Sequence, residues 1–595
     1  MTLSTFSLKR IHAPVKNYAL IVVVLVASYI FSRLTAPLLG TSAEQGQMSL
    51  LIAFFEIGIV CIGGFLVFEL AKPTVIPSFV LAIFIGMIER ESLSPIIQNT
   101  SILTILTTLG ASFILFGGGL DTPFARFKKL VGPILSIAFV GTLITAALFS
   151  IIFTASAEWF QLSISVGAIV LLGAALSSTD PAAIIPSLKS LVFPNPRIKD
   201  IAISESAIND VVGAVLTGVF LTILTTQNVI PASIADMYGH LLNPETAIDV
   251  LYELLVGCAV GFFGFVILHF WSKWKARLGE SGDADAALFL AIPVLCFLVA
   301  TVLHGSGFLA VFIAGLLFQL EQHVSHVEHY FVHTIEGLMK PLIFLLLGAS
   351  VDVHALMQVM VPGIVMGILF MFVIRPIAVF LSLSVFMRGK HALSVRELLF
   401  LSFVRETGVI PAVLIIGMGV SGIQGIETAS LIGLWVILLT LIVEPPLTPL
   451  VARILKVAHN MPAYKKQDFT GPTAILCSRG RSFLERTDAV IEWLDLHGMT
   501  RMQVLHCPEG KFNDTELKRI RAEADTLFAA INKTRLKEHK NPIQFSFLER
   551  EGLLESNIES LVQNEQISII FVGTKMLDYR LEDVKNLRVP FVFLS

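Results

Sequence analysis

Charged residues are scarce in this 595-residue sequence, and the scarcity is uneven along the chain. Asp, Glu, Lys and Arg make up 15% of the positions, hydrophobic residues make up 55%, and the mean hydropathy is +0.79. Residues 1–460 hold 49 charged side chains, whereas residues 461–595 hold 38. Because a soluble domain has about 25% charged residues, the first part is predicted to be a membrane domain and the second a soluble one.

The chain also lacks an excess of charge of either sign, and it has few cysteines. The net charge of −3 provides no basic surface for nucleic acid, so a nucleic-acid partner is not expected. The five cysteines follow no metal-ligand or disulfide spacing. No nucleophile and base stand together in a catalytic pattern. We therefore predict neither an enzyme nor a resident metal or cofactor.

Long apolar runs fill the first part of the chain. Fourteen windows have the length needed to cross a bilayer, although several are short or interrupted by Gly and Pro. They lie near residues 18–39, 50–70, 74–89, 101–120, 131–155, 163–190, 200–224, 246–272, 284–302, 305–320, 334–350, 358–386, 396–419 and 428–453. The prediction is an all-α transmembrane domain over residues 1–456, and the absence of a cleavage site predicts that the first run is retained.

The distribution of basic residues predicts the orientation. With the N-terminus in the cytoplasm, 19 of the 23 basic residues before position 461 fall on cytoplasmic segments and helix ends, Lys340 among them. Arg33 and Arg90 fall outside, and Arg375 and Arg405 fall within spans. An odd number of spans would break this alternation. Both termini are therefore predicted to be cytoplasmic, with the chain spanning the cell (inner) membrane in contact with lipid.

A different pattern follows a predicted linker at residues 457–470. The strand-like runs "TAILCS", "MQVLHC", "IQFSFLE", "ISIIFVG" and "PFVFLS" alternate with charged helix-like segments. This predicts a cytoplasmic α/β domain over residues 471–595 with a five-stranded parallel sheet. The domain resembles the universal stress protein family, which binds nucleotide at a glycine-rich turn after the fourth strand. Here "VGTKMLDYRLEDV" has one glycine, so a packing or regulatory role is favoured over nucleotide binding.

Five charged residues lie within apolar runs: Asp180, Glu205, Asp210, Arg375 and Arg405. A charge at the bilayer centre costs about 3 kcal/mol on insertion scales, and such residues face a cavity or pair with one another. Structural ion pairs are therefore one interpretation and an ion site is the other.

The stretch "ISESAINDVVGAVLTGVF", residues 203–220, favours the ion site. Ser206 and Asp210 are four residues apart, so they share one face of a helix. Glu205 and Asn209 share a second face, turned by about 100°. One face can hold a small cation while its neighbour makes structural contacts.

A helix break is predicted in the preceding run, at Thr179-Asp180-Pro181. Pro181 has no N–H, and its ring clashes with the carbonyl of Ser177 in a helix. The break frees carbonyl groups beside Asp180, and unwound carbonyls at mid-membrane coordinate cations in many transporters.

These two stretches carry a family resemblance. "SSTDPAAIIPSL" followed by "SESAINDVVGAV" resembles the NhaP/NHE-type branch of the monovalent cation/proton antiporters. Further agreement covers most of residues 70–415, in "KPTVIPSFVLAIFIGMI", "FILFGGGLDTPF", "HGSGFLAVFIAGLLF", "KPLIFLLLGASVDV" and "FVIRPIAVFLSL". The resemblance implies inverted repeats, crossed discontinuous helices, a homodimer and elevator-type alternating access.

The resemblance also implies a cation and proton site made of Thr179, Asp180, Ser206, Asn209 and Asp210. Asp210 would bind the cation or the proton in turn. The Thr179 carbonyl, the Ser206 hydroxyl and Asp180 would complete the site, and Asn209 would orient its neighbours.

An arginine from a later span would pair with Glu205. In "VRETGVIP" this chain has Thr407 where relatives commonly have arginine, with Arg405 two positions away, whereas Arg375 in "VIRPIAV" matches better. Relatives also often have an acid where this chain has Gly117.

The implied activity is exchange of a monovalent cation for H⁺. One carboxylate alternating between the two ions exchanges them one for one, and Asn209 in place of a second Asp favours this electroneutral stoichiometry. Sodium is the first choice, with lithium possible. A K⁺/H⁺ antiporter and a gated cation channel controlled by the C-terminal domain remain open.

Overall fold

The computed structural model describes residues 77–594 and a few isolated helical positions before them. Its gaps are residues 123, 181–190, 194–196, 228, 279–284, 320–325, 389–391, 405, 461–472, 479–489, 492–493, 495–500, 507–513, 538–542, 550–556, 559–560, 563–566 and 574–590. The chain forms two compact units. Unit 1 contains residues 1–187 and 197–451, and unit 2 contains residues 188–196 and 452–595.

The described residues of unit 1 form helices and their connecting turns. The helices are α1 (Ser78–Ile88), α2 (Ser94–Gln98), α3 (Thr100–Asp121), α4 (Phe124–Leu135), α5 (Thr142–Trp159), α6 (Val166–Leu176), α7 (Arg197–Thr225), α8 (Ile234–His240), α9 (Pro244–Leu278), α10 (Asp285–Val302), α11 (Gly307–Gln319), α12 (His326–Ala349), α13 (Val353–Gln358), α14 (Met360–Leu369), α15 (Arg375–Leu383), α16 (Val395–Phe403), α17 (Val409–Gly419) and α18 (Ile426–Ile454).

Six segments within the described residues are long and apolar enough to cross a membrane. They are Thr100–Leu120, Leu130–Trp159, Arg197–Thr225, Pro244–Trp271, Met360–Met387 and Ile426–Ile454. Helices α1, α6, α10, α11 and α17 are apolar but shorter. The count of fourteen spans stays a prediction, and its first two windows lie almost wholly outside the described residues.

Two of the long segments contain a π-helical turn. Ser136–Gly141 joins α4 to α5, and Phe370–Ile374 joins α14 to α15. A proline lies near each turn, Pro133 before the first and Pro376 after the second. Because proline cannot donate to the helical hydrogen-bond ladder, it favours such a local change of pitch. The second turn ends immediately before Arg375, the intramembrane arginine of "VIRPIAV".

Two helix ends meet in the interior of unit 1. Helix α6 ends at Leu176, ahead of the predicted break, and residues 178–180 are not helical. Helix α16 ends at Phe403, and α17 begins only at Val409. The Asp180 N–H donates a 3.0 Å hydrogen bond to the Glu406 carbonyl. The non-helical segments after α6 and before α17 are therefore in direct backbone contact.

The glycine triplet at residues 117–119 places α3 against three helices at once. A Cβ on the first glycine would overlap the Glu336 carboxylate of α12. One on the second would lie 3.9 Å from the Ala207 Cβ of α7, beside Ser206. One on the third would lie 2.5 Å from the Phe312 carbonyl oxygen of α11. The first and third glycines thus allow a close approach to α12 and α11, whereas the second faces α7 at an ordinary contact distance.

Unit 2 contains a five-stranded sheet. Its strands are β3 (Thr473–Ser478), β4 (Arg501–His506), β5 (Gln544–Glu549), β6 (Ile567–Gly573) and β7 (Phe591–Leu594), after the short antiparallel pair β1 (Leu191–Val192) and β2 (His459–Asn460). The order across the sheet is β5-β4-β3-β6-β7, and every neighbouring pair is parallel. Helix α19 (Asp514–Lys537) connects β4 to β5.

The sheet of unit 2 has a hydrophobic core on each face. In β3, Ala474 and Leu476 belong to one core cluster, whereas Ile475 and Cys477 belong to the other. A parallel sheet buried on both faces needs continuous apolar runs instead of alternating ones, which is why "TAILCS" is readable as a strand. The turn compared with a nucleotide site lies mostly in residues 574–590, outside the described residues, so the likeness to universal stress proteins remains a prediction.

Candidate functional site

Thr179 is held by two residues of α7. Its carbonyl oxygen accepts a 2.5 Å hydrogen bond from the Ser206 hydroxyl. Its N–H donates to Asn209 Oδ1 at 3.2 Å, and its hydroxyl accepts from Asn209 Nδ2 at 2.7 Å. Ser206 and Asn209 are three residues apart on α7, so they lie on the same side of the helix and can both reach Thr179. Thr179 is therefore in direct contact with Ser206 and Asn209 of the next long helix.

Asn209 also joins Glu205 to this group. Its Nδ2 donates to Glu205 Oε1 at 2.7 Å, one helical turn earlier on α7. Both residues are buried. The amide oxygen of Asn209 thus accepts from the Thr179 N–H, and its nitrogen donates to the Thr179 hydroxyl and to the Glu205 carboxylate. A side chain with all these hydrogen bonds positions its neighbours, and as an amide it neither takes up nor releases a proton near neutral pH.

Asp210 follows Ser206 by one helical turn and is 7% exposed. Within the described part of the chain, its Oδ1 accepts no hydrogen bond. Asp180 interacts with it electrostatically, and the Ser178 hydroxyl lies beside it. Two carboxylates close together in a buried place repel each other. A bound cation or a bound proton relieves that repulsion, so the pair has the chemistry of a site for either.

The second interrupted helix supports Asp180. The Glu406 carbonyl fixes the Asp180 backbone, and Gly408 lies directly against the Asp180 side chain. A Cβ at position 408 would overlap the Asp180 Cβ, so the close approach requires glycine. Sequence reasoning missed both Glu406 and Gly408. The available signal was the "ETG" between two apolar runs, which has the composition of a non-helical interruption.

The predicted partners of Glu205 are only partly described. Arg405 and Pro181 lie outside the described residues, so the Glu205–Arg405 pairing stays a prediction. Arg375 is buried, and its guanidinium lies 4.8 Å from the centre of the Phe370 ring. Glu444 of α18 interacts with it electrostatically.

Position 407, where the family resemblance implies an arginine in relatives, holds the uncharged residue Thr407. The Thr407 and Thr440 hydroxyls are 2.6 Å apart, and the Thr407 N–H donates to the Thr440 hydroxyl at 3.3 Å. Thr440 lies on α18, so this contact ties the interruption between α16 and α17 to that helix. Thr407 thus makes an uncharged hydrogen-bonded link at this position.

The donor set at the site is made of oxygen atoms. Carboxylate, hydroxyl and carbonyl oxygens suit hard cations, and they exchange such ions readily. Within the described residues, no group of three or more His, Cys, Asp or Glu side chains is arranged to hold a metal ion. The oxygen atoms of the arrangement have the ligand chemistry that a small hard cation prefers.

Comparison with known proteins gives the family. Residues 57–453, about two thirds of the chain, match the family described as sodium/hydrogen exchanger, transmembrane. The K(+)/H(+) antiporter NhaP2 of Shewanella baltica is 26% identical over 391 residues, covering 64% of this chain and 63% of that protein. The Na(+)/H(+) antiporter 1 of Methanocaldococcus jannaschii is 27% identical over 391 residues, covering 63% of this chain and 84% of that protein. The chain therefore matches less than two thirds of the length of the Shewanella relative.

The fold is also similar to a solved structure. The sodium proton antiporter MjNhaP1 from Methanocaldococcus jannaschii at pH 8 has a TM-score of 0.55 and 24% sequence identity, covering 67% of this chain and 99% of that one. This likeness confirms a helical membrane fold of that kind. The match over residues 57–453 confirms the predicted family. This chain belongs to the transmembrane sodium/hydrogen exchanger family.

Proposed function

We propose that this protein is a secondary active transporter that exchanges a monovalent cation for H⁺ at Asp210. The observation that carries the proposal is the meeting of Asp210 and Asp180 with the Thr179 carbonyl and Ser206 hydroxyl at a helix break. In a buried site a carboxylate binds a proton or a cation, and each excludes the other. Such competition couples the two ions without further machinery.

We also propose that the exchange is one for one and electroneutral. Asn209 occupies the position next to Asp210, and its amide is engaged with Thr179 and Glu205. It can neither take up nor release a proton. The alternating carboxylate is then Asp210, which releases one proton for each cation that it binds.

The identity of the cation is kept as a pair of alternatives. Relatives named for K⁺ and for Na⁺ are 26% and 27% identical to this chain, so similarity does not separate the two. The ligand atoms are oxygens for either ion, and selectivity depends on the dimensions and field of the cavity. We place sodium first, with lithium, and potassium second.

The test is exchange measured with the full chain in proteoliposomes. A pH-sensitive dye inside the vesicles should report proton movement on addition of Na⁺, Li⁺ or K⁺ across a range of pH. Vesicles with Asp210→Asn should show none, while the variant keeps the elution profile and thermal unfolding of the wild type. Cation-driven proton movement by Asp210→Asn would refute the site. Cation flux without coupled proton movement would instead indicate a channel.

The stoichiometry has its own test. A gradient of a permeant anion such as thiocyanate sets the membrane potential without adding a candidate substrate, and Na⁺-driven proton movement is recorded at several potentials. Electroneutral exchange should be unchanged by the potential. A rate that follows the potential would refute the one-for-one proposal and leave cation/proton exchange intact.

We extend the proposal to the setting of the transporter. It would work as a homodimer in the cell (inner) membrane by an elevator-type movement, with both termini in the cytoplasm. Residues 471–595 would form a regulatory domain, because the residues of the proposed ion site all lie in unit 1. Deleting residues 471–595 should change the pH dependence of exchange without abolishing it. An unchanged rate and pH profile would refute regulation.

A further inference from the structure

An ion pair lies on α12, one helix away from the proposed site. The Lys340 ammonium is 3.3 Å from Glu336 Oε2, one helical turn earlier. The Lys340 side chain is 20% exposed and that of Glu336 is 8% exposed, so the pair is mostly removed from solvent. Lys340 lies within the 24-residue helix α12, and its predicted place on the cytoplasmic side stays a prediction.

The position of the pair depends on the glycine triplet of α3. The Glu336 carboxylate occupies the space beside Gly117 that any side chain would fill. The next glycine faces Ala207 of α7, which is the neighbour of Ser206 in the site. Helix α3 thus contacts both the helix that carries the ion pair and the helix that carries Ser206 and Asp210.

Lys340 acts electrostatically on Asp210 from α12, with a smaller effect than Asp180. Charges in a poorly solvated interior interact more strongly than in water. A positive charge opposes the arrival of a cation at Asp210, and a negative charge favours it. The two members of the pair therefore act on the site with opposite signs.

We propose that the Glu336–Lys340 pair sets the affinity of the Asp210 site for its cation. Lys340 is a positioning residue that weakens cation binding, and Glu336 offsets its charge and holds it beside Gly117. This inference rests on the proposed function. The alternative is a structural pair that ties two turns of α12 together, with no effect on the site beyond its effect on folding.

The experiment compares charge-neutral substitutions in the full chain. The half-saturating cation concentration is measured by dye-monitored exchange at alkaline pH, where protons compete least. Lys340→Met should lower it by about 3- to 10-fold, and Glu336→Gln should raise it by about the same factor. The double variant, which restores local neutrality, should return to within about twofold of the wild type. Lys340→Arg should leave it near the wild-type value.

A second readout guards against loss of fold. The purified variants are titrated with Na⁺ or K⁺ and the rise in Tm is recorded, since a bound cation stabilises the folded state. Single variants that shift affinity in the same direction, or not at all, would overturn the inference. A double variant whose half-saturating cation concentration departs from the wild-type value more than that of either single variant would also overturn the inference. Absence of cation-driven proton movement by the wild type would instead overturn the proposed function.

Discussion

The Ser206 hydroxyl and the Thr179 carbonyl oxygen are 2.5 Å apart and joined by a hydrogen bond, so two oxygens of the proposed site contact each other. A cation bound between them needs lone pairs from both. The hydroxyl must then turn its proton away, because it cannot direct that proton at the ion. Ser206 is thus a donor in this structure and a ligand in the proposed cation complex.

Replacement of Ser206 by Ala should weaken cation binding more than it slows turnover. The variant loses one ligand and leaves the Thr179 carbonyl without its donor, at a cost of about 1–3 kcal/mol. The half-saturating cation concentration in proteoliposomes should rise about tenfold. Ser204→Ala is the matched control, because the Ser204 hydroxyl is buried on α7 and makes no hydrogen bond to any described residue. Equal effects from the two variants would contradict the role given to Ser206.

Replacement of Gly408 by Ala should disrupt the contact between the two interrupted helices. The added methyl group would overlap the Asp180 Cβ, which is fixed to the backbone and cannot swing away. Overpacking of this kind costs about 1–3 kcal/mol, so the Tm should fall and exchange should be largely lost. Gly417→Ala, on α17 with open space around it, is the control and should behave like the wild type. A transport-competent Gly408→Ala variant would contradict the described crossing.

The Arg197–Glu397 pair should contribute more stability than the Arg90–Asp352 pair. Arg197 Nη2 lies 3.2 Å from both Glu397 oxygens and 2.8 Å from the Ala392 carbonyl oxygen, and the side chains are 21% and 10% exposed. In the other pair the exposed fractions are 41% and 53%. Arg197→Gln should cost about 1–3 kcal/mol, and Arg90→Gln less than about 1 kcal/mol.

Thermal unfolding in detergent measures both variants against the wild type. Glu397 adds a further contribution, because it closes the capping box with Ser394 at the start of α16. Glu397→Gln should therefore lower the Tm as well. An equal loss of Tm for Arg90→Gln and Arg197→Gln would show that burial does not decide the strength of these pairs.

His506 should make the stability of unit 2 depend on pH. It is buried in β4, and burial lowers the pKa of its imidazole below the usual range. A histidine with a lower pKa in the folded state stabilises the fold above its unfolded pKa, about 6.5. That contribution is lost as the pH falls toward the folded pKa. Unfolding of unit 2 should therefore occur at lower temperature at pH 5.5 than at pH 7.5.

The measurement is thermal unfolding of the full chain, compared with His506→Gln. The neutral variant should show a smaller difference between the two pH values, although its Tm at pH 7.5 can differ. An identical pH dependence in both proteins would contradict the assignment to His506.

Part of the site was readable from the sequence because local chemistry marks it. Thr179, Asp180, Asn209 and Asp210 are polar residues inside apolar runs, and a proline predicts the interruption beside two of them. The strands of unit 2 were readable for the same kind of reason. "TAILCS" and "ISIIFVG" are too short for helices and too apolar for loops, which fits strands buried on both faces.

The rest depends on contacts between distant segments. Gly408 and Glu406 touch Asp180 only because two non-helical segments meet, and such a meeting leaves no periodic pattern in the chain. Lys340 reads as a helix end because a lysine in a span is costly. Its partner Glu336 removes that cost, but an acid four residues earlier is an ordinary helical spacing. The packing of α12 on α3 at Gly117 is visible only in the structure.

The glycine triplet of α3 limits how the membrane unit can move. Successive residues of a helix point about 100° apart, so the triplet faces α12, α7 and α11 in turn. At residues 117 and 119 the approach is too close for any side chain, so α12 and α11 pack directly on the α3 backbone. At residue 118 a methyl group would find ordinary van der Waals contact with Ala207. A sliding movement of α3 would therefore be opposed at α12 and α11, and not at the glycine that faces α7.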